Sequence, residues 1–171
     1  MADNRITRRQ LVCRAALACG GLAIVSDEAL ATDGTGLMGS KPIHQEEDFG
    51  VSPDRVYSAL LDAKQFGELT GQRAEIEPTP GGSFKLFNDR IVGRTIELVP
   101  NQRVVQAWRE PSWTEGMYSI VRFNLKARGS GTQLIFDHWG FPEEGRPHLT
   151  IGWPEHYWEP MRRYFAAKTA L

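Results

Sequence analysis

The sequence predicts an α+β domain: a curved antiparallel sheet of six to seven strands wrapped on one long C-terminal helix, with two short helices after strand 1. Three observations predict it. Residues 74–139 break into short segments of period-two alternation separated by turn residues. Residues 53–69 carry two short stretches of helical period. From Gly152 to Phe165, apolar residues recur at intervals of three and four: Trp153, Tyr157, Met161, then Tyr164 or Phe165. Such a face of rings must be buried.

Each element has a local reason. Ile43 to Gly50 alternates loosely and carries Glu46, Glu47 and Asp48, which suits a partly exposed first strand. Ser52-Pro53-Asp54 opens a helix, with Ser52 able to cap free amides and Pro53 suited to the first helical position. Val56, Ala59, Leu60 and Ala63 form its inner stripe. A second short helix, about Ala63 to Leu69, stops at Thr70-Gly71. Strands are predicted at 74–78, 83–87, 91–99, 103–109, 118–127 and 132–139. Between them lie Gly81-Gly82, Asn88-Asp89, Pro100-Asn101 and Arg128-Gly129-Ser130-Gly131, connections short enough to demand antiparallel hairpins. Pro142 to Pro147 reads as a loop. Pro160, inside the last helix, should bend it.

The N-terminus reads differently. Thr7-Arg8-Arg9-Gln10-Leu11, the mildly apolar run Ala15 to Val25 and the small-residue site Ala29-Leu30-Ala31 resemble a twin-arginine export signal over 1–31. Leu11 stands where Phe is common, and Arg14 enters the apolar run early. An amphipathic helix, a basic tail, or a lipid anchor on Cys19 are the alternatives. Residues 32–42, with Gly34, Gly36, Gly39, Ser40 and Pro42, have linker composition, and the domain is expected over 43–171. Export implies a periplasmic or secreted protein; an unprocessed chain would be cytoplasmic. The apolar run is too short for a permanent membrane span.

Cleavage after Ala31 would leave 140 residues with 16 basic and 18 acidic side chains, net −2. Cys13 and Cys19 would leave with the signal, so the mature chain is expected to have neither a disulfide nor a thiolate ligand. Mixed charge without a basic stripe argues against nucleic acid and against a lipid surface. There is no nucleophile elbow and no phosphate-cradling glycine loop. His156 and Glu159 are three apart on the last helix, but a pair is not a metal site, and no cofactor is expected.

A series of landmarks then falls in order: Gly81-Gly82-Ser83-Phe84, Ile91-Val92-Gly93, Glu97-Leu98-Val99-Pro100 and Val104-Val105-Gln106-Ala107-Trp108-Arg109. Tyr118-Ser119, Thr132-Gln133-Leu134, Asp137-His138-Trp139-Gly140-Phe141-Pro142, Gly152-Trp153, Tyr157-Trp158-Glu159-Pro160 and Tyr164-Phe165 complete the series. The set resembles the family of activators of heat-shock-protein ATPase homologues, within the START-like helix-grip (polyketide cyclase / Bet v-like) superfamily. It covers Ile43 to about Ala167. The resemblance implies a helix-grip fold, whose members bind lipids, hormones, polyketides or protein partners, so fold alone does not name an activity. The namesake activators stimulate a cytosolic ATP-driven chaperone, whereas an exported domain would meet neither ATP nor that chaperone.

Strand parity and helical period select Trp108, Tyr118, Phe123, Phe136, His138, Trp153, Tyr157 and Met161 as walls of a cavity between sheet and final helix. The expected partner is a small hydrophobic or amphipathic molecule, oriented by His138, Tyr118, Tyr157 and the indole N–H groups. Trp113 could join the wall beside Trp108. His138 shares a strand face with Leu134 and Phe136 and opposes Asp137, so it is either a satisfied structural histidine or a group at the cavity edge. Two other functions compete: a co-chaperone-like module that binds a protein partner, and a cyclase- or hydrolase-like enzyme using His138 as acid–base. No residue is assigned as catalytic.

Overall fold

Hairpin follows hairpin because each turn carries the residues its geometry needs. The computed structural model describes residues 41–169; the export signal expected at 1–31 and nearly all of the linker expected at 32–42 lie outside the described residues. In chain order the elements are β1 (Ile43–Phe49), α1 (Pro53–Leu61), α2 (Ala63–Thr70), β2 (Glu75–Ile76), β3 (Ser83–Leu86) and β4 (Ile91–Val99). Then come β5 (Arg103–Arg109), β6 (Ser119–Arg128), β7 (Gly131–Trp139), α3 (Arg146–Trp153) and α4 (Glu159–Thr169). The seven strands form one sheet in the order β1-β7-β6-β5-β4-β3-β2, and every neighbouring pair is antiparallel. Helices α1 and α2 therefore carry the chain from one edge of the sheet to the other.

Alternation decides which side chains face the helices. β7 turns Thr132, Leu134, Phe136 and His138 inward, and β6 turns Ser119, Val121, Phe123 and Leu125 inward. Val104, Gln106 and Trp108 do the same from β5. A bulge between Thr95 and Glu97 leaves Ile96 unpaired and about half exposed (49%) on β4. Gly93 sits where a strand and a ring converge: a Cβ there would lie 2.0 Å from the Ala107 carbonyl oxygen and 2.4 Å from the Phe84 ring. Only glycine fits that position.

The short helices follow the sequence with one change. The Ser52 side chain makes no capping bond; its carbonyl instead accepts from the Arg55 and Val56 amides, and Pro53 starts the helix. Val56, Ala59, Leu60 and Leu61 are buried, while Ala63 already belongs to α2. Asp62 caps α2 by accepting from the Gln65 amide at 2.8 Å, and Gly71 ends it at φ +71°.

The C-terminal helix begins earlier than its ring stripe suggests. A 3-10 turn at Glu143–Gly145 leads into α3, so most of the expected 142–147 loop is helical, with Pro147 in the first turn where its missing N–H costs nothing. The irregularity then falls ahead of Pro160. Pro154–Trp158 form a single π turn, in which the Glu159 amide donates to the Pro154 carbonyl five residues back. A regular turn would drive the Pro160 ring into the His156 carbonyl, and widening the turn relieves that clash. The extra residue also turns both Tyr157 and Trp158 inward, and Trp158 stacks near Trp153 at 5.7 Å with an interplanar angle of 21°. The stripe of three- and four-residue steps predicts Tyr157 but not Trp158.

Candidate functional site

The middle of the grip is occupied by the protein itself. Phe136 meets the Trp153 ring at 4.1 Å between centroids and the Trp158 ring at 5.3 Å. Phe123 lies 5.4 Å from Phe136 and 5.9 Å from Trp153. Phe123, Phe136, Trp158 and Met161 are all buried, so sheet and helix touch through rings rather than across a void. Burying each such side chain favours the fold by about 1.5–3 kcal/mol.

Polar edges inside this packing are paired with one another. The Trp153 indole N–H donates to His138 Nδ1 at 3.2 Å. Since an indole can only donate, Nδ1 must accept, which leaves the proton on Nε2. His138 Nε2–H then donates to Ser119 Oγ at 2.8 Å, and Ser119 Oγ donates to the Trp108 carbonyl at 3.4 Å. The Trp108 indole donates to Gln106 Oε1 at 3.1 Å and the Trp158 indole to Gln45 Oε1 at 2.6 Å. Burial pushes the His138 pKa down to about 3, consistent with a neutral ring held at both nitrogens. These three indoles and His138 are thus engaged internally, and none is left to orient a guest.

Space opens at one end of the grip. A cleft of about 140 Å³ lies between the turn after β3, the end of β5 and helix α3 with its π turn. Phe87, Ile91, Trp108, Leu149, Trp153 and Tyr157 give it an apolar floor; Gln72, Arg90, Glu110, His148 and His156 stand round it. Phe87 is backbone-strained: it is a bulky residue at φ +55°, followed by Asn88 and Asp89 at +57° and +67°. Its ring is pinned by Phe66 and Tyr157, each at 5.4 Å. Tyr157 is 3% exposed, and its hydroxyl has no hydrogen-bond partner among the described residues. Burial raises its phenol pKa, so the group stays neutral and can both donate and accept.

The structure distributes the residues selected from sequence over three settings. Trp108, Trp153 and Tyr157 line the cleft. Phe123, Phe136, His138 and Met161 are buried in the packed middle, away from it. Tyr118 is 48% exposed, because it precedes β6 with the parity opposite to inward Ser119; it does not line the cleft. Trp113 is partly buried against the core, and its carbonyl accepts from Arg109. Sequence reasoning missed Phe87, Leu149 and His156 on the cleft wall. The Asn88-Asp89 turn signal was the one pointer to Phe87. Glu159 pairs with Arg163 at 3.8 Å, and among the described residues no group of three or more His, Cys, Asp or Glu could hold a metal ion. No helix among them is long and apolar enough to cross a membrane.

On the outer face of the sheet, Asp137 joins His44 and Arg122 across strands. His44 Nδ1 and Arg122 Nη2 each lie 2.7 Å from one of its oxygens. Burial opposes ionisation of Asp137, yet hydrogen bonds from His44 and Arg122 outweigh it and hold the carboxyl below its usual range. Arg122 also lies over the Trp139 ring, 5.3 Å from its centroid.

Comparison with known proteins agrees with this architecture. Residues 50–166 match the model of the family described as Activator of Hsp90 ATPase homolog 1-like protein. The chain is 26% identical over 120 residues to the human activator of 90 kDa heat shock protein ATPase homolog 1, and 24% identical over 133 residues to its Dictyostelium discoideum counterpart. Those alignments cover 70% and 77% of this chain but 36% and 35% of the relatives, so the chain spans about a third of their length. Among solved structures, an HSP90 activator from Plasmodium falciparum superposes with a TM-score of 0.70 at 24% identity, covering 74% of this chain and 97% of that one. CalU16 from Micromonospora echinospora gives 0.63 at 18% identity, over 74% and 77% of the two chains. The matched family model covers more than half of the sequence, and the chain belongs to the Activator of Hsp90 ATPase homolog 1-like family.

Proposed function

We propose that this domain is a protein-docking module, acting on a chaperone of the 90 kDa heat-shock class as the named relatives do, rather than a carrier of a bulky lipid or polyketide. The observation that carries the proposal is the filled grip: Phe123, Phe136, Trp153 and Trp158 occupy the space such a cargo would need. A cleft of 140 Å³ is below the roughly 300–1,000 Å³ of ordinary small-molecule sites.

The outer sheet face offers the chemistry that interfaces favour. Arg94, Ala107, Ile120 and Trp139 stand in one cross-strand row, with Val105, Arg122 and Asp137 in the next. Exposed Tyr118 precedes that face and exposed Ile96 interrupts it at the bulge. Trp, Tyr and Arg are the side chains that dominate binding hot spots.

The test is the ATPase rate of a purified 90 kDa heat-shock protein with and without this chain. The proposal expects stimulation that falls at least several-fold in Tyr118→Ala and Trp139→Ala. No stimulation, together with no co-sedimentation, would overturn it. Fractionation of cells expressing the full chain, with N-terminal sequencing, tests the export signal at 1–31; export would separate the chain from a cytosolic chaperone and count against the docking role.

A further inference from the structure

From the unpaired Tyr157 hydroxyl and the one-ring volume of the cleft, we infer that this end of the grip binds a neutral monocyclic phenol, ring down on Trp108 and Trp153 with its hydroxyl paired to Tyr157. The inference is independent of the docking role proposed for the sheet face.

Size comes first. A dry cavity of about 150 Å³ lined by apolar side chains accepts one benzene ring. The cleft measures about 140 Å³, so a single ring fills it and a fused ring or an acyl chain would have to protrude.

Its floor is built for a flat guest. Trp108 and Trp153 lie 4.8 Å apart between ring centroids, tilted by 34°, and Tyr157 sits 4.6 Å from Trp153 and 6.0 Å from Trp108. Three large rings meeting at one opening provide stacking and edge contacts to a fourth.

Polarity comes next. A phenol hydroxyl on a buried side chain normally has a partner, as the Trp108 and Trp153 indoles and His138 do inside the fold. The Tyr157 hydroxyl has none among the described residues; its side chain is buried and lines the cleft, yet its oxygen keeps accessible surface. A guest carrying one hydroxyl completes the pattern.

Charge selects against ions. The cleft is bordered by one cation, Arg90, and one anion, Glu110, so neither a carboxylate nor an ammonium gains a net attraction. The flanking His148 and His156 add ring nitrogens that can pair with a neutral guest.

Strain supports the same place. Phe87 holds a left-handed backbone in the cleft wall, where its ring meets Tyr157 at 5.4 Å and His156 at 6.1 Å. A bulky residue keeps that conformation only when its surroundings over-determine it, and such positions gather at ligand clamps.

The experiment is an NMR titration of the full chain with phenol, toluene and 1-naphthol, following the Gly152, Trp153 and Tyr157 amides and the Trp153 indole N–H. Saturable shifts with phenol are expected, with affinity for toluene at least several-fold weaker and no saturation with 1-naphthol. In Tyr157→Phe, which removes a hydroxyl without an internal partner and so keeps the fold, phenol should bind several-fold more weakly and toluene unchanged. Absence of saturable shifts with phenol would overturn the inference. So would equal phenol affinity in Tyr157→Phe, or 1-naphthol binding as tightly as phenol. None of these outcomes bears on ATPase stimulation, so the two proposals fail separately.

Discussion

The middle of the grip and its mouth use the same residue types to opposite ends. In the middle, Phe136 packs Trp153 at 4.1 Å and His138 spends both nitrogens on Trp153 and Ser119. At the mouth, the Tyr157 hydroxyl has no partner among the described residues and Phe87 holds a strained backbone beside it. Aromatic content alone therefore does not mark a binding site. What sets the mouth apart is open space beside rings, Tyr157 among them, whose polar edges have no partner among the described residues.

The largest expected effect comes from breaking the middle. Phe136→Ala should cost about 3–5 kcal/mol of stability, since Trp153, Trp158 and Phe123 close on that ring and the backbone cannot follow it inward. Urea unfolding followed by tryptophan fluorescence measures it. A loss below about 1 kcal/mol would mean the middle is loosely packed.

Acid should act on the same region. Folded His138 titrates at about 3, against 6.5 for a free imidazole, so between those values only the unfolded chain takes the proton. Its contribution is complete above pH 6.5 and is lost as pH falls toward 3, on the order of 5 kcal/mol in all. His44 acts with the opposite sign: the hydrogen bond to Asp137 raises its pKa, so its contribution is present below 6.5 and fades as pH rises through the folded value. Unfolding midpoints of wild type and His138→Gln across pH 4–8 should show a steeper acid limb for wild type. Parallel curves would contradict the buried neutral ring.

Most of the fold was legible because its causes are local. Period-two alternation placed β4 and β5 to the residue, and Asn88-Asp89 and Gly129-Ser130 marked tight turns. Parity put His138 on the Leu134 and Phe136 face, and the register confirms it. The π turn was not legible, because it arises from a clash between Pro160 and a carbonyl one turn back, and counting by three and four assumes a regular helix. That one inserted residue brought Trp158 inward and filled the space where a cavity was expected. Cleft walls such as Phe87 and Leu149 come from distant elements, so no window of sequence shows them together.

The mouth should respond least in stability. Tyr157→Phe removes no internal hydrogen bond, so its unfolding midpoint should move by no more than about 0.5 kcal/mol equivalent. A loss above about 1 kcal/mol would show that the hydroxyl is already satisfied within the fold.

Titration with decanoate, read by both tryptophan fluorescence and Tm, tests the filled grip most directly. Five tryptophans occur in the sequence, and Trp108, Trp153 and Trp158 lie where an acyl chain would have to pass, so entry could not go unseen. With the middle closed by its own rings, fluorescence and Tm should both stay constant as decanoate is added. A saturable fluorescence change with a rise in Tm would show that the rings part for a long guest, and the docking account would give way to a carrier.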